Sequence, residues 1–375
     1  MTLSEPSVLI AAASGRALAA AARRGGFRPL VADFFDDLDT RALAGANVVV
    51  GDMERGFETQ TLLDALRGLA TEENPIGIVC GSGFEDRPEI LQEIARRFPL
   101  YGNPAQVVAQ AKDPQLIAEL CRDLAIPHPE IRFDPPARPA EWLIKRQGGG
   151  GGLHVALASS RRAGPFEYYQ LRVPGRPVSV LLLAEGRRAE VLGTSAQWTA
   201  TSGDIPFRFG GAVQPAELDA ALEGEICAAA RKLAGALALV GLNSVDFLAT
   251  ADAFQLLEIN PRPGATLDIF AHSRLFAAHL ESCRGLLPSE NLVFTTCRAT
   301  AIAYAPCDLV FMPELDWPAW CVDRQKPGTR LRKGDPVCTV LAEAERGATA
   351  RAVAGERLAA LGDELLVRGG KENAA

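Results

Sequence analysis

The chain has 375 residues, with 39 Lys and Arg against 46 Asp and Glu and a formal net charge of −7. That length suggests two or three domains with sizeable cores, and 48% hydrophobic residues exclude wholesale disorder. The acidic balance argues against a duplex nucleic-acid binder but leaves room for local Lys and Arg that hold a small anion.

Residues 8–13 read as a buried strand, followed by a Ser14-Gly15 turn and a helix over residues 17–24 that stops at Gly25-Gly26. Residues 29–33 form a second strand ending in an acid, with further strands at 47–50 and 76–80 and helices at 61–69 and 88–98. Strands alternating with helices predict a parallel sheet covered on both faces. The first turn lacks G-x-G-x-x-G, and no G-x-x-x-x-G-K-[ST], G-x-S-x-G or H-E-x-x-H occurs. The first residues lack the basic region of a signal peptide, and no apolar run reaches the roughly 18 to 20 residues of a membrane span. The eight cysteines include no C-x-x-C and there are four histidines, so free thiols of a reducing cytoplasm are expected rather than a zinc or redox centre.

From residue 105 the texture changes. Residues 106–124 are helical and lead through a Pro-rich connector to a short strand at 142–146, which runs into five consecutive glycines, 148–152. Strand segments at 178–184 and 190–193 precede a polar, Gly-rich loop over 202–211 and a long amphipathic helix over 215–238. Strands at 244–249 and 254–259 flank a turn at 251–253. Beyond residue 298 the chain is β-rich, with a strand at 337–342, a helix at 348–360 and a frayed tail from Gly369.

Three features carry chemistry. In FQLLEINPRPG, residues 254–264, Glu258 and Asn260 project from one face of a strand, with Leu257 and Ile259 buried opposite. Asp246, twelve residues before Glu258, lies on the preceding strand of the hairpin and can share that face. Two carboxylates and an amide oxygen suit a hard cation such as Mg2+; the alternative is a solvated strand end. Lys145 before the glycine run offers a charge for phosphate oxygens and a backbone that turns tightly around an anion; the alternative is a flexible linker. Asp113 reads as an N-cap with Pro114 in the first helical turn, and Lys112 just before it is by default a solvated lysine.

The order Lys112, Lys145 with its glycines, Asp246, then Glu258-x-Asn260-x-Arg262 resembles the ATP-grasp superfamily over residues 105–298. The resemblance implies an α/β (α+β) chain with an ATP-grasp fold: a Rossmann-like pre-ATP-grasp domain over 1–104, the ATP-grasp domain over 105–298, and a small C-terminal β-rich module with a terminal helix over 299–375. It implies that Lys112 and Lys145 bind ATP phosphates under a mobile lid of Gly149, Gly150 and Gly151. The hinge Tyr168-Tyr169-Gln170-Leu171-Arg172 would lie against adenine, with Gln170 and Arg172 where the family commonly has a ribose-binding Glu and Glu167 as its substitute. Asp246, Glu258 and Asn260 would hold Mg2+, or Mn2+ in its place, and Arg262 would steady the transferred phosphoryl group or the oxyanion that follows.

The implied reaction is phosphoryl transfer from ATP to a carboxylate, then attack by an amine to give an amide. Arg208 is a candidate for the substrate carboxylate, or else a surface arginine; His154, Trp198 and Asn243 are candidates for the pocket. The tail, with Trp317, Trp320 and GDPVCTVLA over residues 334–342, is similar to a subgroup that includes tyramine–glutamate ligase and ATP-grasp proteins of methanofuran and tetrahydromethanopterin assembly. That points to an amino acid joined to a one-carbon cofactor precursor in the cytoplasm, with ATP and small-molecule carboxylate and amine as partners and neither nucleic acid nor membrane. The tail packs on the core by default, or contributes to a homodimer. The competing readings are a purine-pathway-type carboxylase using bicarbonate, a nucleotide-binding regulator and, more distantly, an NAD-dependent oxidoreductase.

Overall fold

The computed structural model describes residues 5–200 and 205–372. Residues 202–204 of the Gly-rich loop and 373–375 of the tail therefore lie outside the described residues.

The first sheet is built from β1 (Ser7–Ala11), β2 (Arg28–Asp33), β3 (Ala46–Val49), β4 (Ile78–Cys80) and β5 (Leu100–Tyr101), all parallel in the order β3-β2-β1-β4-β5. Four helices alternate with them: α1 (Arg16–Arg24), α2 (Leu38–Leu43), α3 (Thr59–Ala70) and α4 (Glu89–Ala95). β1 shows why its sequence has no polar alternation, because both faces are covered. Leu9 and Ala11 pack with Leu62, Leu66 and Ile90, whereas Val8 and Ile10 pack with Leu18 and Ala22. The second of these clusters also contains Leu181, Leu242, Phe270 and Phe276, so this sheet shares a core with the rest of the chain.

The reading of 106–124 as one helix is corrected: α5 (Ala105–Ala111) and α6 (Pro114–Asp123) are separate. Asp113 caps α6 by accepting from the backbone N–H of Gln115 and Leu116 at 2.9 and 3.1 Å, and Pro114 cannot continue a preceding helix. The break leaves Lys112 at the end of α5, turned toward the cleft described below.

A small antiparallel sheet, order β6-β9-β7-β8, comprises β6 (Ile131–Arg132), β7 (Trp142–Arg146), β8 (Val155–Leu157) and β9 (Glu167–Leu171), cored by Trp142, Ile144 and Tyr169. The largest sheet holds β10 (Arg176–Glu185), β11 (Ala189–Thr199), β12 (Phe209–Gln214), β13 (Val240–Ala249) and β14 (Phe254–Asn260). It continues through β15 (Cys297–Tyr304), β16 (Cys321–Val322) and β17 (Pro336–Ala344), in the order β14-β13-β10-β11-β12-β15-β17-β16. The C-terminal strands thus extend the sheet that begins with β14, through pairs such as Gly211 with Ala301.

Three helices complete the fold: α7 (Ala220–Ala236), α8 (Leu275–Ser282) and α9 (Gly347–Glu372). α7 starts later than residue 215 because Asp219, accepting from Ala221 N–H at 2.9 Å, is its cap. α9 runs on through residues read as a frayed tail, since Leu361 and Leu365 prolong the buried stripe of Ala350 and Ala354. Trp317 and Trp320 are half-buried against the same core. Among the described residues no helix is long and apolar enough to cross a membrane, and all eight cysteines are free.

Candidate active site

A cleft of about 1710 Å³ runs between the small sheet, the large sheet and the C-terminal ends of the first sheet's strands. On its floor, antiparallel register places Asp246 of β13 directly opposite Glu258 of β14, and Ser244 opposite Asn260. A bulge follows Asp246, leaving Leu257 without a partner residue on β13. That corrects the alternation expected from sequence: Leu256 and Ile259 are buried, while Leu257 lines the cleft. Its carbonyl accepts from Lys145 Nζ at 3.3 Å.

Asn260 is the hub. Its Oδ1 accepts from Lys112 Nζ at 3.1 Å, and its Nδ2 donates to Asp246 Oδ2 at 2.9 Å and Glu258 Oε1 at 3.2 Å. Burial and the neighbouring Glu258 charge push the Asp246 carboxyl up. Burial would also raise Glu258, but Lys112, Lys145 and His154 outweigh it and hold that carboxyl well below the usual range. Burial works against charge on Lys145 and is outweighed in turn by Tyr168, Glu258 and Asp246, so this buried lysine stays cationic. Asp246 Oδ1 and Ser179 Oγ, on paired residues of β13 and β10, are both buried and lack a hydrogen bond of good geometry.

The glycine run lies over this floor. Gly148 has φ +72° and is so close to residues 85–86 that a Cβ would come within 2.5 Å of Asp86 Cα. At the other end, Gly151 O accepts from Phe209 N–H at 2.9 Å. Gly152 has φ +74°, and a Cβ there would sit 1.8 Å from Phe207 O. His154, at the foot of the lid, approaches Glu258 Oε2 at 4.0 Å; burial chiefly lowers it to about 4, against the pull of Glu258. Gly152→Ala is expected to keep the fold but prevent the lid from seating, weakening nucleotide binding by about tenfold or more. Calorimetric titration with Mg·ATP checks this, and unchanged affinity would remove the lid role.

Gln170, Leu171 and Arg172 line the cleft where the small sheet joins the large one. Gln170 is buried and Arg172 exposed. Glu167 is not available as the substitute expected for a ribose contact. It pairs with Arg161 at 2.6 Å and accepts from Gly164 N–H at 2.7 Å, and strand alternation points it away from Gln170.

Arg262 donates from Nε to Glu85 Oε1 at 2.5 Å and from Nη2 to Asn260 Oδ1 at 3.5 Å. Arg208 is no surface residue: it is 5% exposed, its guanidinium lies 3.5 Å from the Tyr304 ring centroid, and Nη1 donates to Gly334 O at 2.8 Å. Its Nε is buried without a partner. Trp198 lines the cleft, but Asn243 is an amide of the core, bonded to Asn103 at 2.7 Å and to the carbonyls of Val240 and Gly241.

Sequence reasoning missed Glu85, Ser179 and His128. Glu85 meets Arg262 across 177 positions, and Ser179 has no motif around it, so nothing local marks either. His128 borders the space between Lys112 and Lys145, where burial and Lys145 lower it to about 4.

Two lysines, an arginine, paired carboxylates and a glycine run thus meet around one cleft, and residues 112–266, which contain all of them, match the ATP-grasp domain family. The match covers less than half of the chain, and this segment is similar to ATP-grasp domains. The large chain of carbamoyl phosphate synthase from Deinococcus radiodurans is 24% identical over 245 residues, which are 56% of this chain and only 23% of that one. Among solved structures, a β,γ-ATP complex of biotin carboxylase from Campylobacter jejuni aligns with a TM-score of 0.69 at 14% identity, over 92% of this chain and 89% of the other. The N5-carboxyaminoimidazole synthase from Aspergillus clavatus, in complex with ADP and 5-aminoimidazole ribonucleotide, aligns with a TM-score of 0.69 at 14% identity over 96% and 99%. At these identities the likeness is one of fold, and it extends over nearly the whole chain.

Proposed function

We propose that the cleft uses ATP to phosphorylate a substrate carboxylate and then passes the acyl group to an amine, releasing ADP and phosphate and leaving an amide. The observation that carries this reading is the convergence of Lys112, Lys145 and Arg262 on the Asp246–Glu258 pair beneath the glycine lid. Such an arrangement supplies positioning and charge neutralisation, which is what phosphoryl transfer requires of a protein.

The donors suit a hard divalent cation: two carboxylates face each other, Asp246 Oδ1 is buried without a hydrogen bond of good geometry, and the Asn260 oxygen, here turned to Lys112, is the third candidate. The Asn260 amide already bridges both carboxylates with its N–H groups, which marks the point between them as favourable for positive charge. Asp246, Glu258 and Asn260 would hold Mg2+, or Mn2+, which would neutralise phosphate oxygens and orient the terminal phosphoryl group.

Lys112 and Lys145 would take phosphate oxygens, and Gln170, Leu171 and Arg172 would flank the base. The lid, joined to Phe209, would keep water from the acyl phosphate. Arg208, held flat against Tyr304 with an unpartnered Nε, is suited to a carboxylate, and Arg262 to the oxyanion formed when the amine attacks. The tail's similarity to tyramine–glutamate ligase and to ATP-grasp proteins of one-carbon cofactor assembly supports an amino acid as one substrate. A second reading, bicarbonate in place of the organic carboxylate, draws support from the biotin carboxylase among the structural neighbours.

A thermal-shift screen tests the nucleotide. Mg·ATP and Mg·ADP are expected to stabilise the chain, by about 2.7 kcal/mol at a hundred times Kd, and NAD is not. Stabilisation by NAD alone would overturn the assignment. ADP release across a panel of carboxylates and amines then separates the two reactions: dependence on both substrates supports the ligase, while amine-independent, bicarbonate-dependent release favours the carboxylase.

A further inference from the structure

In an open parallel sheet ordered β3-β2-β1-β4-β5, the strand order reverses between β1 and β4, and the crevice beyond their C-terminal ends is the usual place for a ligand. Here that crevice is engaged by the protein itself. Asp33, at the end of β2, accepts from the backbone N–H groups of Gly15, Phe35 and Asp36. From the turn after β4, Glu85 reaches Arg262. From the first position of α1, just past the turn after β1, Arg16 reaches Asp268, six residues beyond Arg262.

Arg16 is 4% exposed, and its guanidinium is held on two edges. Nη1 and Nη2 donate to Asp268 Oδ1 and Oδ2 at 2.5 and 2.7 Å. Nε and Nη2 donate to Asp323 Oδ1 and Oδ2 at 2.9 and 2.6 Å. Asp323 follows β16 at φ +55°, a conformation unusual outside glycine, and also accepts from Ser14 Oγ at 3.4 Å. One side chain of the first sheet thus joins the segment after β14 to the C-terminal strands. All three residues line the cleft.

The segment 261–268 is therefore pinned at both ends by the connections that follow β4 and β1: Glu85 holds Arg262 and Arg16 holds Asp268. Both attachments are bonds of a rigid, planar guanidinium, which fixes direction as well as distance. We infer that Arg16 is a positioning residue of this site: without touching the reacting groups, it fixes the far end of the segment that aims Arg262 at the cleft floor. Lysine keeps the charge but cannot occupy both forks, so Arg16→Lys separates geometry from charge.

The kinetic arm of the test rests on the ligase reading; the second arm does not. Full-length wild type is compared with Arg16→Lys, Arg16→Gln and the neutral triple variant Arg16→Gln/Asp268→Asn/Asp323→Asn. In Arg16→Lys and Arg16→Gln, kcat for ADP release is expected to fall by about a hundredfold with KM for ATP nearly unchanged. Amide hydrogen exchange over residues 261–268 is expected to quicken by about tenfold, with β13 and β14 still protected. The triple variant, free of uncompensated charge, is expected to regain thermal stability without regaining kcat.

Wild-type kcat and exchange in a folded Arg16→Lys, or full recovery of kcat in the triple variant, would leave Arg16 a purely stabilising residue and overturn the inference. If the wild-type chain releases no ADP with any substrate pair, the ligase reading fails, and exchange over 261–268 still decides. Unchanged exchange sinks the positioning role, and faster exchange confined to that segment sustains it.

Discussion

Glu258→Gln is expected to lower ADP release by at least about a hundredfold while the chain stays folded. Glu258 is the carboxylate that Lys112 and Lys145 hold ionised, so its negative charge is present throughout the neutral range. The amide keeps the shape and one acceptor oxygen but removes that charge from beneath the proposed phosphate site. Stability is expected to change little, because losing attraction to the two lysines is offset by losing repulsion from Asp246. Mn2+ titration followed by electron paramagnetic resonance should show weaker binding, by about ten- to a hundredfold. A folded variant with undiminished turnover would remove Glu258 from the proposed metal site.

The second large effect is expected from Glu85→Gln. Arg262 and Glu85 form an ion pair at 2.5 Å with side chains 15% and 8% exposed. Removing one partner leaves a buried charge uncompensated, at a cost of about 3 kcal/mol. Burial would raise Glu85, but Arg262 and Lys112, with the N–H of Gly83, bring it down to about 2. An acid whose folded value is depressed contributes fully above its unfolded value, roughly 4.3, and that contribution is lost as pH falls through the folded one. The stability difference between wild type and Glu85→Gln in urea melts is thus expected to be constant from pH 5 to 7 and to shrink from about pH 4 to 2. A difference independent of pH over that range would show that the pair is not the source. Turnover should fall as well, since Arg262 loses the bond that aims its Nε edge.

Much of the architecture was legible because local pattern and tertiary fate agreed. The unbroken apolar runs of β1, β2 and β4 have to be covered on both faces, which only a parallel sheet between helices provides. β7, over residues 142–146, was read with the bounds it has. α2 and β5 were missed because both are very short and owe their places to distant contacts. α2 is held by Arg324 on Asp39 at 2.8 Å, and the preceding Asp36 by Lys326 at 2.7 Å. The bulge after Asp246 was equally hidden, since the pleat of β14 alone puts Leu257 on the wrong face.

By itself the sequence determined the fold class, the Asp113 cap with Pro114 that opens α6, and the types of donor in the site, because backbone constraints and side-chain chemistry are properties of neighbouring residues. The spacing of Glu258 and Asn260 on a strand, and the glycines at 148 and 152 that admit positive φ, belong to the same kind. Only the tertiary structure decided that Glu85 aims Arg262, that Arg16 grips both Asp268 and Asp323, and that Arg208 lies buried on Tyr304. Those pairings join residues about a hundred to three hundred positions apart; charge complementarity does not specify which partner is chosen, and burial of the whole chain does.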